Sequence, residues 1–270
     1  NIAYNNLEEY LADLKKALTT DHPRYKTLGT KVNDEYIQLN TAIIQIENEY
    51  YSSIRPKRLV ASGERPINAL RDKGIEYVEI RALDNNIYDP FGISDETAIF
   101  LESFLFYCLL SEDQPCEQDE IKKIQSNWGN VVLSGRDKDL KLEFKDGSFF
   151  LRDKAARIIN EMSYLEARID NLEYKTIFKK SLETQQNKVN DSNKTPSGML
   201  LKEIISSDTT WDKYTDDIAK RHKEEILNLN REVHYLEKQA SESLKEFSRK
   251  EAEEEKDFDS FLAEYLSAIE

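Results

Sequence analysis

Residues 75–83 read Ile-Glu-Tyr-Val-Glu-Ile-Arg-Ala-Leu, and this stretch decides how the first third of the chain is interpreted. Its β-branched and aromatic residues predict a strand, whose side chains alternate between two faces. One face then carries Ile75, Tyr77, Glu79 and Arg81, and the other carries Glu76, Val78, Ile80 and Ala82. The strand therefore presents a carboxylate and a guanidinium on the same side, about 7 Å apart along the strand.

The residues before this strand predict further β-structure. Asn33-Asp34 indicates a turn, and residues 36–39 a strand after it. Residues 41–51 are rich in β-branched and aromatic side chains and predict a second strand. A partial, antiparallel-rich sheet is therefore expected between residues 28 and 83. It is preceded by a helix that Asn6 is expected to cap.

The rest of the chain is predicted to be mostly helical, which makes the fold class α+β. Residues 98–110 are apolar and too short to span a membrane, which needs about 20 residues, so they predict a buried core helix after a cap at Ser94 or Asp95. Asp146-Gly147 predicts a short hairpin near residues 140–151 within a β excursion over 131–151. Residues 185–195 are polar and predict a loop. The predicted division is a sheet domain over 1–110 and a mainly helical region over 111–270.

Net charge excludes several classes of partner, and cysteine content predicts a location. The chain has 52 acidic and 38 basic residues, a net charge of −14, so nucleic acid and anionic membrane surfaces are not expected as partners. Its two cysteines, Cys108 and Cys116, have no zinc-binding spacing and predict a reducing, cytoplasmic location. The chain opens without a Met or a signal peptide, so we expect a segment of a longer protein.

Two groups of residues could carry chemistry. Glu79 and Arg81 could hold a divalent cation and a phosphate side by side, because Mg²⁺ prefers carboxylate oxygen and a guanidinium matches phosphate. An ordinary salt-bridged sheet face is the alternative. The cluster at residues 55–58, Arg-Pro-Lys-Arg, could neutralise a triphosphate or be a solvated loop. Tyr50-Tyr51 before it could close a pocket or pack on the sheet.

Three pieces of sequence, in this order and spacing, resemble one family. They are residues 45–51, Gln-Ile-Glu-Asn-Glu-Tyr-Tyr, residues 54–58, Ile-Arg-Pro-Lys-Arg, and residues 74–84, Gly-Ile-Glu-Tyr-Val-Glu-Ile-Arg-Ala-Leu-Asp. Together they resemble the glutamate–cysteine ligases of the γ-proteobacterial type, closely over residues 1–135 and more weakly beyond. One departure is Ile87, where the family often has Pro.

The resemblance implies a fold, a reaction and residue roles. The fold would include part of a glutamine synthetase-like catalytic sheet, and the reaction would join L-glutamate to L-cysteine with ATP and Mg²⁺, through a γ-glutamyl phosphate. By position in the motifs, Glu79 matches a metal ligand, Arg81 the arginine on the transferred phosphate, and Tyr51 a tyrosine of the cysteine pocket. Lys57 and Arg58 fall where the superfamily keeps cations for the nucleotide phosphates.

The resemblance also implies that the chain is the C-terminal half of such an enzyme. The missing N-terminal half would then be its partner and would supply the remaining metal-binding glutamates, so the chain alone should form an incomplete site. Two other functions stay open from the residues. One is a non-catalytic helical module in which a helix over 218–252 pairs as a coiled coil through positions such as Val233. The other is a related ligase with a different amine acceptor.

Overall fold

The computed structural model describes residues 2–61, 63–112, 114–229, 234–252 and 257–269. Helices predominate in these ranges, and the strands form three two-stranded antiparallel sheets, which confirms the α+β class with antiparallel pairing. The helices are α1 Leu7–Thr19, α2 Pro23–Leu28, α3 Pro66–Lys73, α4 Asp95–Leu110, α5 Gln118–Ser134, α6 Leu151–Met162, α7 Leu172–Asn190, α8 Pro196–Ser207, α9 Trp211–Leu227, α10 His234–Glu251 and α11 Phe258–Ser267. The strands are β1 Lys31–Val32, β2 Glu35–Tyr36, β3 Ile54–Lys57, β4 Tyr77–Ile80, β5 Lys141–Phe144 and β6 Gly147–Phe150.

The chain divides into two compact units. Unit 1 combines residues 1–83 with residues 232–270, and unit 2 spans residues 84–231. The C-terminal helix α11 thus belongs to the same unit as the sheet region, although about 200 residues separate them in the chain. The boundary predicted between residues 110 and 111 remains a prediction.

The core of unit 1 is built on α1, the helix predicted to begin after Asn6. The side chain of Asn6 accepts a hydrogen bond from the backbone N–H of Glu9, 2.8 Å away, and so caps the helix. The next turns place apolar residues on one face, which packs against α3. The buried core consists of Tyr10, Leu14, Leu18, Ile67 and Leu70.

The predicted turn at Asn33-Asp34 is confirmed, with both residues at positive φ (52° and 64°), and it joins β1 to β2. The predicted strand over 41–51 is wrong. This segment contains an isolated bridge at Ala42 and a 3₁₀ turn, Glu47–Glu49.

Side chains of the 41–51 region satisfy the backbone in place of a ladder. The Gln45 side chain accepts from Leu39 N–H at 2.6 Å, and Gln45 N–H donates to the Glu49 carboxylate at 2.7 Å. Such local side-chain bonds compete with strand pairing. They overrode the β-propensity from which the strand was predicted.

In unit 2, α4, α6 and α7 pack around a core of Ile159, Met162, Phe178 and Leu182. Ser94 caps α4 as predicted, by accepting from Thr97 N–H. The prediction that α4 is a buried core helix is only partly right. Its middle packs on this core, but Leu109 and Leu110 near its end are 77% and 69% exposed.

The hairpin predicted at Asp146-Gly147 is confirmed. Strands β5 and β6 pair with Phe144 opposite Gly147, which leaves Lys145-Asp146 as a two-residue loop. The predicted β excursion does not extend back to residue 131, because helix α5 continues to Ser134.

Two further expectations concern the C-terminal half. The loop predicted over 185–195 is wrong up to Asn190, because α7 continues to that residue. A single helix over 218–252 is also not observed, since α9 ends at Leu227 with Asn228 as its C-cap; Val233 lies outside the described residues. In the part of the chain that the structure describes, no helix is both long and apolar enough to cross a bilayer.

Candidate functional site

The antiparallel pair β3–β4 brings the sequence-predicted residues together. Arg55 lies opposite Glu79, and Lys57 lies opposite Tyr77. Directly opposed residues share a face of the pair, and residues two apart on a strand share it too. The basic cluster at 55–58 is therefore strand for three of its four residues. Arg55 and Lys57 lie on the face of β4 that carries Glu79.

Arg55 and Glu79 form the centre of this face. The guanidinium is buried, and it donates from Nε and Nη2 to the same carboxylate oxygen, Oε2, at 3.1 and 3.0 Å. The third nitrogen, Nη1, donates to the backbone carbonyl of Tyr50 at 3.0 Å. Arg55 thus ties the carboxylate of β4 to the segment that precedes β3.

The electrostatics of this face keep Glu79 ionised. Partial burial opposes ionisation, but it is outweighed by the hydrogen bonds from Arg55 and by the charges of Arg55, Lys57 and Arg81, which lower the pKa of Glu79 below its ordinary value of 4.5. The Lys57 ammonium lies 3.8 Å from Oε2 of the carboxylate. One carboxylate is therefore surrounded by three cations.

Arg81 and Tyr51, two of the predicted site residues, lie against each other. The guanidinium of Arg81 sits over the Tyr51 ring, 4.8 Å from its centroid. Tyr51 is 75% exposed, so it does not pack on the sheet. The Arg81 backbone N–H donates to Ser53 O at 2.7 Å, which places Arg81 one pair beyond the end of the β3–β4 ladder.

Arg58 is the predicted site residue that is directed elsewhere. Its Nη1 donates to the carbonyls of Lys73 and Gly74, at 2.6 and 3.2 Å, at the C-terminal end of α3. Arg58 therefore links β3 to α3 through backbone carbonyls. The structure brings Tyr51, Lys57, Glu79 and Arg81 into one neighbourhood and leaves Arg58 beside it.

The number of carboxylates on this face decides whether it could bind a metal ion. Mg²⁺ is held through carboxylate and water oxygens, with one or two protein carboxylates beside substrate phosphates. Within the described ranges, no group of three His, Cys, Asp or Glu side chains could hold a metal. Glu79 offers a single carboxylate, with Oε2 already bound to Arg55. The residues of this face do not fit a Mg²⁺ site on their own.

Sequence reasoning missed the role of Arg55. Its place in the basic cluster predicts a source of positive charge for phosphate, but Arg55 is buried and hydrogen-bonded to Glu79. Alternation along β3 was the available signal, because it separates Arg55 and Lys57 from Arg58. Applying it required knowing that residues 54–57 are a strand, which pairing with β4 decides.

The chain resembles proteins of one activity in sequence. Residues 1–131 match the family model described as glutamate-cysteine ligase. A glutamate–cysteine ligase of Pseudomonas entomophila is 40% identical over 270 residues, which are 98% of this chain and 51% of that protein. One of Alcanivorax borkumensis is 37% identical over 98% of this chain and 52% of its own length. The chain spans about half the length of the curated relatives it matches.

Solved structures agree with the sequence relatives. A crystal structure of glutamate–cysteine ligase from Francisella tularensis in complex with AMP superposes with a TM-score of 0.89 at 33% identity, covering 99% of this chain and 53% of that chain. A bifunctional glutathione synthetase of Pasteurella multocida superposes with a TM-score of 0.53 at 17% identity, over 83% of this chain and 24% of that one. The second match shows likeness of fold alone.

Proposed function

We propose, for a chain whose residues 1–131 match the glutamate-cysteine ligase family model, that the β3–β4 face serves the ATP-dependent ligation of L-glutamate to L-cysteine. The relatives at 37–40% identity carry this name, and their likeness extends along 98% of the chain. The AMP-bound neighbour supports the use of an adenine nucleotide. The activity and substrates of the whole protein are part of this proposal.

The observation that carries the proposal is the contact between Arg81 and Tyr51 beside an ionised Glu79. An exposed guanidinium held over an exposed ring is a preformed place for an anion next to an apolar surface. The predicted roles use both parts of it. Arg81 would meet the phosphoryl group, and the Tyr51 ring would line the place of the cysteine side chain.

The proposed reaction has two steps. The γ-carboxylate oxygen of glutamate attacks the terminal phosphorus of ATP, which forms γ-glutamyl phosphate and releases ADP. The cysteine amine then attacks the acyl carbon, the C–O bond to phosphate breaks, and the amine gives up a proton. Negative charge builds on the phosphoryl oxygens in the first step, and Arg81 would stabilise it with two parallel N–H donors.

Cations on a chain of net charge −14 allow it to bind two anionic substrates. Lys57 is half-buried beside Glu79, and its ammonium group would contribute positive charge near the nucleotide phosphates. The weaker assignment of Arg58 to the same phosphates requires its guanidinium to leave the two carbonyls that it contacts.

We propose that the protein is located in the reducing cytoplasm, as its cysteine content predicts.

The proposed Mg²⁺ requires ligands beyond this face. Glu79 would be one carboxylate of the set, and the others would come from outside the described residues, in keeping with the half-length match to the relatives. When bound, the metal would neutralise phosphate charge.

On the basis of the family resemblance, we propose that the β3–β4 sheet is part of a glutamine synthetase-like catalytic sheet.

The test is ADP release by the intact protein that carries this chain. With ATP, a divalent metal, glutamate and cysteine, we expect ADP, phosphate and γ-glutamylcysteine in equal amounts. Replacing cysteine by other amines tests the acceptor, and a protein that prefers one of them would be a related ligase instead. Absence of ADP release with all substrates present would overturn the proposal.

A further inference from the structure

A second ion pair lies in unit 1, and it is buried. Arg65 and Glu47 are 1% and 6% exposed. The guanidinium binds the carboxylate with two parallel bonds, from Nε to Oε1 at 3.0 Å and from Nη2 to Oε2 at 2.9 Å. Both residues lie outside the group of Tyr51, Lys57, Glu79 and Arg81 that forms the candidate site.

The ion pair joins three parts of the unit. Arg65 is the N-cap of α3, and Glu47 begins the 3₁₀ turn Glu47–Glu49. The remaining nitrogen of Arg65, Nη1, donates to the carbonyl of Tyr265 in α11 at 3.0 Å. The guanidinium also lies over the Tyr265 ring, 4.2 Å from its centroid. The C-terminal helix therefore completes the surroundings of this ion pair.

The 3₁₀ turn leads directly to the candidate site. Tyr50 N–H donates to the carbonyl of Glu47, at 3.2 Å, and closes the turn. Tyr50 O accepts from Arg55, and Tyr51, the next residue, lies over Arg81. The start of the turn is held by Arg65 and its end by Arg55. The turn that leads into Tyr51 is thus held at both of its ends.

We propose that Glu47 and Arg65, with α11 behind them, are positioning residues that hold Tyr51 against Arg81. A buried ion pair is a weak source of net stability, because desolvation offsets its attraction, but a bidentate pair fixes geometry closely. Its effect on catalysis rests on the proposed function. The prediction is a loss of affinity for the substrate at Tyr51 with little change in the chemical step.

The test separates positioning from stability by comparing single and double variants. Glu47→Gln or Arg65→Met leaves one buried polar partner behind and should lower the melting temperature. The double variant Glu47→Met/Arg65→Met removes both charges, and apolar replacement of buried ion pairs is often neutral or stabilising. We expect it to recover the melting temperature. Lys26→Gln, which breaks an exposed ion pair of the same unit, is the matched control.

Two readouts follow the position of the turn. Hydrogen exchange of the Glu49 and Tyr50 amides, which close the 3₁₀ turn, should accelerate about tenfold or more in the double variant. In the intact protein, KM for cysteine should rise about fivefold or more, with kcat within about twofold of the wild-type value. The control should change neither.

The outcomes distinguish the positioning role of the Glu47–Arg65 pair from the proposed ligase function. A double variant with the melting temperature, the amide exchange rates and the KM for cysteine of the wild type would show that the ion pair is purely structural. That result would overturn the inference. If the double variant does not fold, Arg65→Lys takes its place, since it keeps the charge and loses the planar fork. If the wild-type protein releases no ADP, the proposed function fails, and the exchange rates still decide whether the ion pair holds the turn.

Discussion

Arg55 and Glu79, 24 residues apart in the chain, are joined by two hydrogen bonds from one guanidinium to a single carboxylate oxygen. The side chain of Arg55 is 8% exposed, whereas that of Glu79 is 34% exposed. The cation is therefore the buried partner, and the carboxylate lies between it and solvent. This arrangement keeps Glu79 ionised and leaves its side chain partly exposed within the candidate site.

Arg55→Met tests how strongly this pair holds unit 1. The substitution leaves the Tyr50 carbonyl and the Glu79 carboxylate without their main donor, and loss of one partner of a buried bond costs about 1–3 kcal/mol. We expect the free energy of unfolding to fall by that amount in urea denaturation. Arg24→Met, at an exposed position of α2, is the control. A loss below about 0.5 kcal/mol, the range of ordinary surface changes, would contradict the prediction.

The pH dependence of stability should report the lowered pKa of Glu79. A carboxyl group with a lower pKa in the folded state stabilises the fold at pH above its ordinary value of 4.5, and this contribution is lost as the pH falls through the folded value. The difference in unfolding free energy between wild type and Glu79→Gln should therefore shrink as pH falls from about 7 to 3. Urea denaturation at several pH values measures it. A difference that grows toward acid would refute the assignment.

Arg81→Lys should affect turnover far more than folding. Lysine keeps the positive charge and the backbone bond to Ser53, but it loses the planar fork that matches phosphate. In the intact protein we expect kcat to fall about 10²-fold or more, the usual effect of removing one transition-state donor. The melting temperature should be unchanged, and Arg24→Lys should behave as wild type. Turnover within about threefold of wild type would show that Arg81 does not contact the transferred phosphate.

Tyr51→Leu separates a binding role from a structural one. Tyr51 is 75% exposed, so removal of its ring should change the free energy of unfolding by less than about 1 kcal/mol, the contribution of an exposed cation–π contact. KM for cysteine should rise about tenfold, equivalent to about 1.4 kcal/mol of binding. Tyr164→Leu is the matched control, because Tyr164 is also 75% exposed and lies in unit 2. Equal effects of both variants on KM would argue against a pocket at Tyr51.

Much of the local structure could be predicted because its causes lie within a few residues. The Asn6 cap, the Ser94 cap and the Asp146-Gly147 hairpin each depend on hydrogen bonds or turn geometry between close neighbours. The absence of a strand over 41–51 could not be predicted. The bond from Leu39 N–H to the Gln45 side chain, which competes with strand pairing there, depends on the path of the folded backbone.

The candidate site shows the same division. The shared face of Glu79 and Arg81 follows from alternation along one strand, and their proposed roles come from a family resemblance that the comparisons confirm. The direction of a basic side chain does not follow from its neighbours. Arg55 turns inward to Glu79, and Arg58 turns toward the end of α3, because β3 pairs with β4 and lies beside that helix.

The sequence by itself determined the α+β class, the helix caps at Asn6 and Ser94, the hairpin and the residues that resemble a ligase site, because these depend on periodicity and short-range chemistry. Tertiary structure alone decided which charges became buried partners. Arg65 meets Glu47, 18 residues away, and Tyr265, 200 residues away. Such contacts carry no local pattern, since the cost of burying a charge is offset only by a partner that folding brings from elsewhere in the chain.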